Sequence, residues 1–295
     1  MNGAFARSHP AVGFLYFAAV IAFCLVLNHP VFIALSLVSS LAYAVRLKGK
    51  SVMKTFFFAL LPFAVFVTLI NALVSHYGVT VLYTFPNGNN LTLESIVYGA
   101  VTGVTIVTMM LWFVCWNEVM TEDKILHLFG KRLPHLALLV MMTLRFVPLY
   151  SRQLGEALSA RKGAGLEESG GKIAKIKNGC AAVSGVITRA LEHGIDTADS
   201  MKSRGYGLKG RTSYSRYKLS PADTVLIVAT VIALIPIVAA RLCGAVQALY
   251  NPIIMLGGFT PALIASSAAY AVLCFLPLIY DASEVIKWNR LYAKT

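Results

Sequence analysis

The chain has 295 residues, 57% of them hydrophobic and 13% charged, with a mean hydropathy of +0.70. Soluble globular proteins carry about 25% charged residues, so this composition excludes a water-soluble enzyme, a disordered tail and a coiled coil. The 26 Lys+Arg against 13 Asp+Glu leave a net charge of +13; with long apolar runs, that excess points to a membrane protein with a basic cytoplasmic side and no nucleic-acid partner.

A membrane-spanning helix needs about 20 mostly apolar residues. In chain order the predicted spans are Ala11–Asn28, Val31–Val45, Thr55–Ser75, Ser95–Trp116, Ala222–Leu242 and Pro261–Tyr280. The first two are short and are separated only by His29-Pro30. They form either a tight helical hairpin or one broken, tilted element. No small-residue cleavage site follows the first apolar run, so a cleavable signal peptide is not expected. Between spans three and four, Val79–Leu93 alternates weakly around Pro86-Asn87-Gly88, which predicts a short external hairpin.

Basic residues near span ends set the orientation. Arg46, Lys48, Lys50 and Lys54 crowd the 46–54 connection, while 76–94 and 243–260 carry no Lys or Arg. Lys124, Lys131 and Arg132 follow span four; Lys209, Arg211, Arg216 and Lys218 precede span five; Lys287, Arg290 and Lys294 follow span six. With six spans the alternation places both termini in the cytoplasm.

Residues 117–218 hold 17 basic and nine acidic residues, a local net of +8. Leu133-Pro134 opens a helix with proline near its start, where the missing N–H costs nothing. Its apolar run, Leu136–Leu144, is too short to span and meets Arg145, which would be costly at mid-membrane depth. This helix is therefore expected in or under the cytoplasmic interface, ending near Gly163-Ala-Gly165. A second amphipathic helix follows from the three- and four-residue spacing of Ile173, Ile176, Cys180, Val183, Ile187 and Leu191. Gly205-Tyr206-Gly207 stops it. Both helices end in basic, glycine-bearing segments, Ala160-Arg161-Lys162-Gly163 and Ser203-Arg204-Gly205. An arginine there suits either favourable interaction with the helix dipole or contact with a partner. The expected architecture is an all-α polytopic membrane protein: spans one to four over residues 1–116, cytoplasmic helices over 117–218, and spans five and six with a short cytoplasmic tail over 219–295.

These segments resemble the transmembrane T component of energy-coupling factor (ECF) transporters, prokaryotic importers of vitamins and micronutrients powered by ABC-type ATPases. Met201-Lys-Ser-Arg-Gly-Tyr-Gly207 with Gly210-Arg-Thr-Ser-Tyr214 is similar to the family's second Ala-Arg-Gly motif and its sequel; Gly155-Glu-Ala-Leu-Ser-Ala-Arg-Lys-Gly163 is similar to the first. Leu144-Arg-Phe-Val-Pro148, Leu69-Ile-Asn-Ala-Leu73 and Gly78-Val-Thr-Val-Leu82 extend the likeness over about residues 55–218. Ser203 stands where alanine is usual, and in the first motif either Lys162 replaces the glycine or Gly163 supplies it one position late. The resemblance implies a non-catalytic coupling subunit in the prokaryotic cell membrane. Two cytoplasmic ATPase subunits would bind the ATP, and a separate membrane S subunit would bind the substrate. It implies ATPase docking through Ala160, Arg161, Gly163, Ser203, Arg204 and Gly205, and no cofactor or metal on this chain.

Other chemistries fit less well. Gly165-Leu-Glu-Glu-Ser-Gly-Gly-Lys172 has one residue too many for a phosphate-cradling loop, and Ile173 replaces its hydroxyl. Asp196 and Asp199 lack the further acids of a phosphotransferase metal site and suit helix-surface pairing with Lys202 or Arg204. The histidines at 9, 29, 76, 127, 135 and 193 include no i,i+4 pair. Glu118, Glu122 and Asp123 suit pairing with Lys124 or Arg145. Four of the five cysteines sit in apolar runs as packing residues. No acid or base lies in mid-span, which disfavours a proton-coupled carrier. A conventional ABC permease or secondary transporter with its own substrate path remains the alternative.

Overall fold

The computed structural model describes residues 3–75, 78–84, 90–130, 133–166, 171–208, 217–250, 253–258 and 260–292. Nine helices lie among them: α1 (Pro10–Val26), α2 (Pro30–Lys48), α3 (Ser51–Val74), α4 (Leu93–Val119), α5 (Glu122–Gly130), α6 (Pro134–Gly163), α7 (Lys172–Ser203), α8 (Pro221–Leu242) and α9 (Pro261–Tyr292). The protein is an all-α, multi-pass membrane protein. Six helices are long and apolar enough to cross a bilayer: α2, α3, α4, α6, α8 and α9. The shorter α1 is uncharged throughout.

The first two predicted spans are two separate helices, and each opens identically. His9 and His29 precede Pro10 and Pro30, and each imidazole Nδ1 accepts the backbone N–H two residues on, from Ala11 at 3.2 Å and Val31 at 3.4 Å. Arg145 does not interrupt α6, which runs unbroken through it and through Pro148. Arginine is a good helix former, and an interior proline removes a single ladder bond. The helix expected from Pro134 to near Gly163 is present as one 30-residue element. It differs from the expectation in being long and apolar enough to cross a bilayer, where the sequence kept its apolar run at the interface.

The chain separates into two compact units, residues 1–124 with 217–295, and residues 125–216. In the first, α4 packs on α3, α2 and α1, and α9 packs on α8 and α2. The core is aromatic: Phe5, Tyr16, Phe17, Tyr43 and Trp112 are fully buried. Edge-to-face contacts join them, with Phe5 and Tyr16 centroids 5.3 Å apart. Polar groups inside find partners. Trp112 Nε1 donates to Ser36 Oγ at 2.8 Å. The Cys274 carbonyl, just before Pro277 in α9, accepts from Ser39 and Tyr16, as expected where proline weakens a membrane helix's backbone ladder. A π-helical stretch, Phe56–Leu60, precedes Pro62 in α3 for a similar reason.

The hairpin expected between spans three and four is present as β1 (Val81–Thr84) paired antiparallel with β2 (Asn90–Thr92); its turn at Pro86-Asn87-Gly88 lies outside the described residues. Glu94 at the start of α4 anchors it by accepting from the Thr80 N–H and hydroxyl. A second small pairing, β3 (Ala248–Leu249) with β4 (Met255–Leu256), and the short α5 had no clear sequence signal.

The acids near α5 do not pair as the sequence suggested. Glu118 binds Lys48 at 3.3 Å. Lys124 is buried, its Nζ donating to the carbonyls of Ala6 at 2.5 Å and Val119 at 2.9 Å. The segment before α1 folds back over this region, and its carbonyl displaces any carboxylate. Desolvation lowers the Lys124 ammonium below the usual lysine range.

The His29 cap carries a pH prediction. Burial lowers its pKa below the ordinary 6.5. The neutral ring contributes stability that is complete above that value and is lost as pH falls toward the lowered folded pKa. The thermal midpoint in detergent should therefore fall between pH 7 and about pH 5 more steeply in the parent than in His29→Asn, which keeps an N-cap acceptor that does not titrate. Parallel pH profiles would refute this role.

Candidate functional site

The second unit is built on α6 and α7, whose mutual arrangement follows from two contacts. The Tyr206 hydroxyl, just past the end of α7, lies 3.5 Å from His135 Nδ1 at the start of α6. Leu158, Ser159, Arg161 and Lys162 at the end of α6 share a cavity with Lys175 and Asn178 in the first turns of α7. The pair is antiparallel, so the C-terminal ends of α6 and α7 lie at opposite ends of the unit. At 1.5 Å rise per residue, the stretch of α7 between Lys175 and Arg204 puts Arg161 and Arg204 roughly 40 Å apart.

Both ends close by the same backbone device. At α6, Leu166 N–H donates to Arg161 O and Gly165 N–H to Lys162 O, with Gly165 at φ +71°. At α7, Tyr206 N–H donates to Met201 O and Gly205 N–H to Lys202 O, with Gly205 at φ +79°. Each is a Schellman cap, and its left-handed position is where glycine avoids the Cβ clash. The turning glycine after the first helix is Gly165; Gly163 lies inside the last turn of α6. The two arginines are therefore not in equivalent positions. Arg161 sits in the last turn of α6, whereas Arg204 is the C-cap residue of α7.

Of the six residues expected to dock, Ala160, Gly163, Ser203 and Arg204 are exposed, and Arg161 and Gly205 are half-buried. Ser203 Oγ folds back onto the Ser200 carbonyl at 2.9 Å, keeping that position small. Arg161 Nη2 reaches the Leu166 carbonyl at 3.5 Å, while its Nε is shielded from solvent without an acceptor. The six residues form two separate ends rather than one cluster. The Gly210–Tyr214 motif and residues 167–170 of the glycine-rich turn lie outside the described residues. Helix α8 also ends in a Schellman turn, at Gly244 with φ +71° and with Arg241 in its last turn. An arginine beside such a cap is thus no signature by itself; the exposed pair of ends on one antiparallel unit is what sets these two apart.

Between their ends, α6 and α7 bury little. No residue of α6 is buried, and Ile173, Ile176, Ile187, Leu191 and Ile195 of α7 are all more than half exposed. Asp199 forms no ion pair among the described residues, and no group of three His, Cys, Asp or Glu side chains among them could hold a metal.

Comparison with known proteins places this arrangement in a family. The EcfT energy-coupling factor transporter transmembrane proteins of Listeria innocua, Lactobacillus helveticus and Lactococcus lactis subsp. cremoris are similar to this chain. Their identities are 30% over 114 residues, 29% over 155 and 30% over 99. The matches cover 38%, 52% and 33% of this chain and 42%, 53% and 37% of those proteins, so the chain spans about half the length of these relatives or less. The family model of CbiQ, described as a cobalt transport protein, matches residues 3–214, which take in α1 to α7 and both helix ends. By that match over most of its length, the chain belongs to the CbiQ family of transport proteins.

Proposed function

We propose that this chain is the coupling subunit of an ECF-type importer for a vitamin or other micronutrient, and is not itself catalytic. Two cytoplasmic ABC-type ATPase subunits bind and hydrolyse ATP, and a separate membrane S subunit holds the cargo. No cofactor or metal is required on this chain. The family name, cobalt transport protein, falls within the micronutrient class.

The observation that carries this reading is the antiparallel α6–α7 pair, with one exposed, arginine-bearing end roughly 40 Å from the other. Two such ends suit two copies of a motor subunit, one on each. Ala160, Arg161 and Gly163 would seat at one ATPase, and Ser203, Arg204 and Gly205 at the other. A guanidinium offers a planar fork of donors to carboxylates or helix-end carbonyls, and small neighbours let a helix end enter a groove. Movement of the ATPases would tilt or slide the rigid helices and so act on the membrane portion.

In this reading α1 crosses the membrane and α6 does not. Helix α1 is uncharged and buries seven residues against its neighbours, whereas α6 buries none and carries Arg145, Arg152, Glu156, Arg161 and Lys162. Six crossings then leave both termini in the cytoplasm of a prokaryotic cell, on the side where the basic residues concentrate.

Purification after co-expression with candidate ATPases tests the proposal. The chain is expected to retain both ATPase subunits and to show no uptake when reconstituted alone. Stand-alone uptake in vesicles holding only this chain would refute it and favour a permease with its own substrate path.

A further inference from the structure

Three buried charged side chains, each from a different helix, converge on the segment before α1. Asp281 of α9 is 1% exposed, and its Oδ1 accepts the Phe5 N–H at 2.8 Å. Asp223 in the first turn of α8 is 6% exposed, and its Oδ1 accepts the His9 N–H at 3.1 Å. Lys124 of α5 is 5% exposed; its Nζ donates to the carbonyls of Ala6 and of Val119, the last residue of α4. Phe5 fills the middle, fully buried and edge-to-face with Tyr16, Phe17 and Tyr43.

A buried charge is costly unless it is hydrogen-bonded. Residues 5–9 supply such bonds to α5, α8 and α9 at once, so the segment and the three helices hold one another in place. Asp223 acts in two directions. Its Oδ2 accepts the Ser220 N–H at 2.9 Å and closes the capping box of α8, while its Oδ1 holds His9, the N-cap of α1. One carboxylate therefore fixes the starts of α1 and α8 together.

These anchors stand where the chain leaves the membrane unit and where it returns. Lys124 is the last residue of that unit before the chain departs into α6 and α7, and Asp223 lies shortly after Tyr217, where it re-enters. Any displacement of α6 and α7 reaches the membrane unit along these two connections. A connection packed into rigid elements passes a displacement on, whereas a loose one absorbs it.

We propose that residues 5–9 form a clasp that stiffens both connections of the α6–α7 pair, so that its movement is delivered to α1, α4, α8 and α9. The inference rests on the coupling reading above and assigns transmission to residues apart from the two helix ends.

Lys124→Met and Phe5→Ala, each assembled with the ATPase subunits and substrate subunit in vesicles, test it. The methionine keeps an apolar stem and removes the donors to Ala6 and Val119. Both variants are expected to retain the ATPases and hydrolyse ATP, while uptake per ATP hydrolysed falls at least about fivefold, the lower end of typical coupling between sites. A parental ratio overturns the proposal, whether uptake is unaltered or falls together with hydrolysis. Hydrogen exchange on the parent chain in detergent needs no variant. The Phe5 and His9 amides should exchange at least about 100-fold more slowly than in an unstructured peptide, and exchange at the peptide rate overturns the clasp. A parent that couples ATP to uptake, with variants at the parental ratio, sinks the clasp alone. A parent that retains no ATPase sinks the coupling reading, and the transmission role with it, even where both amides are protected.

Discussion

Arg161→Glu combined with Arg204→Glu is expected to abolish ATP-driven uptake and release the ATPase subunits while leaving membrane insertion intact. Each substitution puts a carboxylate at a helix C-terminus, an unfavourable local term of about 0.3–1 kcal/mol at an exposed site. Helices of 30 and 32 residues tolerate that. The effect at a partner surface is much larger. Losing one member of a desolvated, hydrogen-bonded charge pair costs about 2–5 kcal/mol, and reversal adds repulsion against whatever the arginine met. The variant should be made at normal levels, migrate as a monodisperse species in detergent, and elute without ATPases. Arg241→Glu is the internal control. It alters the last turn of a helix with the same Schellman cap, yet should leave ATPase retention and uptake unchanged. Unaltered ATPase binding and uptake in the double variant would reduce Arg161 and Arg204 to ordinary helix caps.

Gly103→Leu is expected to produce the largest loss of stability in the membrane unit. Gly99 and Gly103 lie one turn apart on α4 against α3. A Cβ on Gly103 would stand 2.7 Å from the Ala64 carbonyl oxygen and 3.3 Å from Ala64 Cα; one on Gly99 would stand 2.9 Å from Asn71 Cβ and 3.0 Å from the Thr68 carbonyl oxygen. The obstructing atoms are mostly backbone, so no rotamer change relieves them. Helices in lipid gain little from hiding apolar surface and associate by close packing, which small residues four apart permit. A leucine should force α3 and α4 apart, costing about 1–3 kcal/mol or more. It should also loosen the carbonyls of Asn71 and Ser75, both held by Ser95 Oγ. A lowered thermal midpoint in detergent is the expected readout. Gly155→Ala, with open space where its Cβ would go, should not lower it. A Gly103→Leu midpoint equal to the parent's would show that the helices are not held by this contact.

Much of the membrane architecture is legible in the sequence because apolar length is a one-dimensional property. Five predicted spans coincide with long apolar helices to within a few residues at their starts, and the sixth, α1, is a shorter apolar helix. Amphipathic spacing alone located α7, and glycine with basic residues marked where α6 and α7 end. Gly99-Ala-Val-Thr-Gly103 could also have been read as a close-approach motif. Other features were not readable. That Lys124 is buried on two carbonyls depends on the Phe5–Arg7 turn being tucked back, with Phe5 buried and its N–H given to Asp281 at 2.8 Å. Charge pairing by sequence proximity therefore failed there, because the partner came from residues 118 positions away.

The sequence by itself determined the helical membrane class, the boundaries of most helices and the two arginine-bearing ends. Those follow from composition, hydrophobic period and local capping chemistry, all carried by residues a few positions apart. Only the tertiary structure decided which helix end lies beside which helix start, that Gly165 rather than a nearer residue makes the first left-handed turn, and that Lys124 is buried against the carbonyls of Ala6 and Val119. Antiparallel pairing and long-range partners arise where distant segments meet, and no pattern along a single helix contains them.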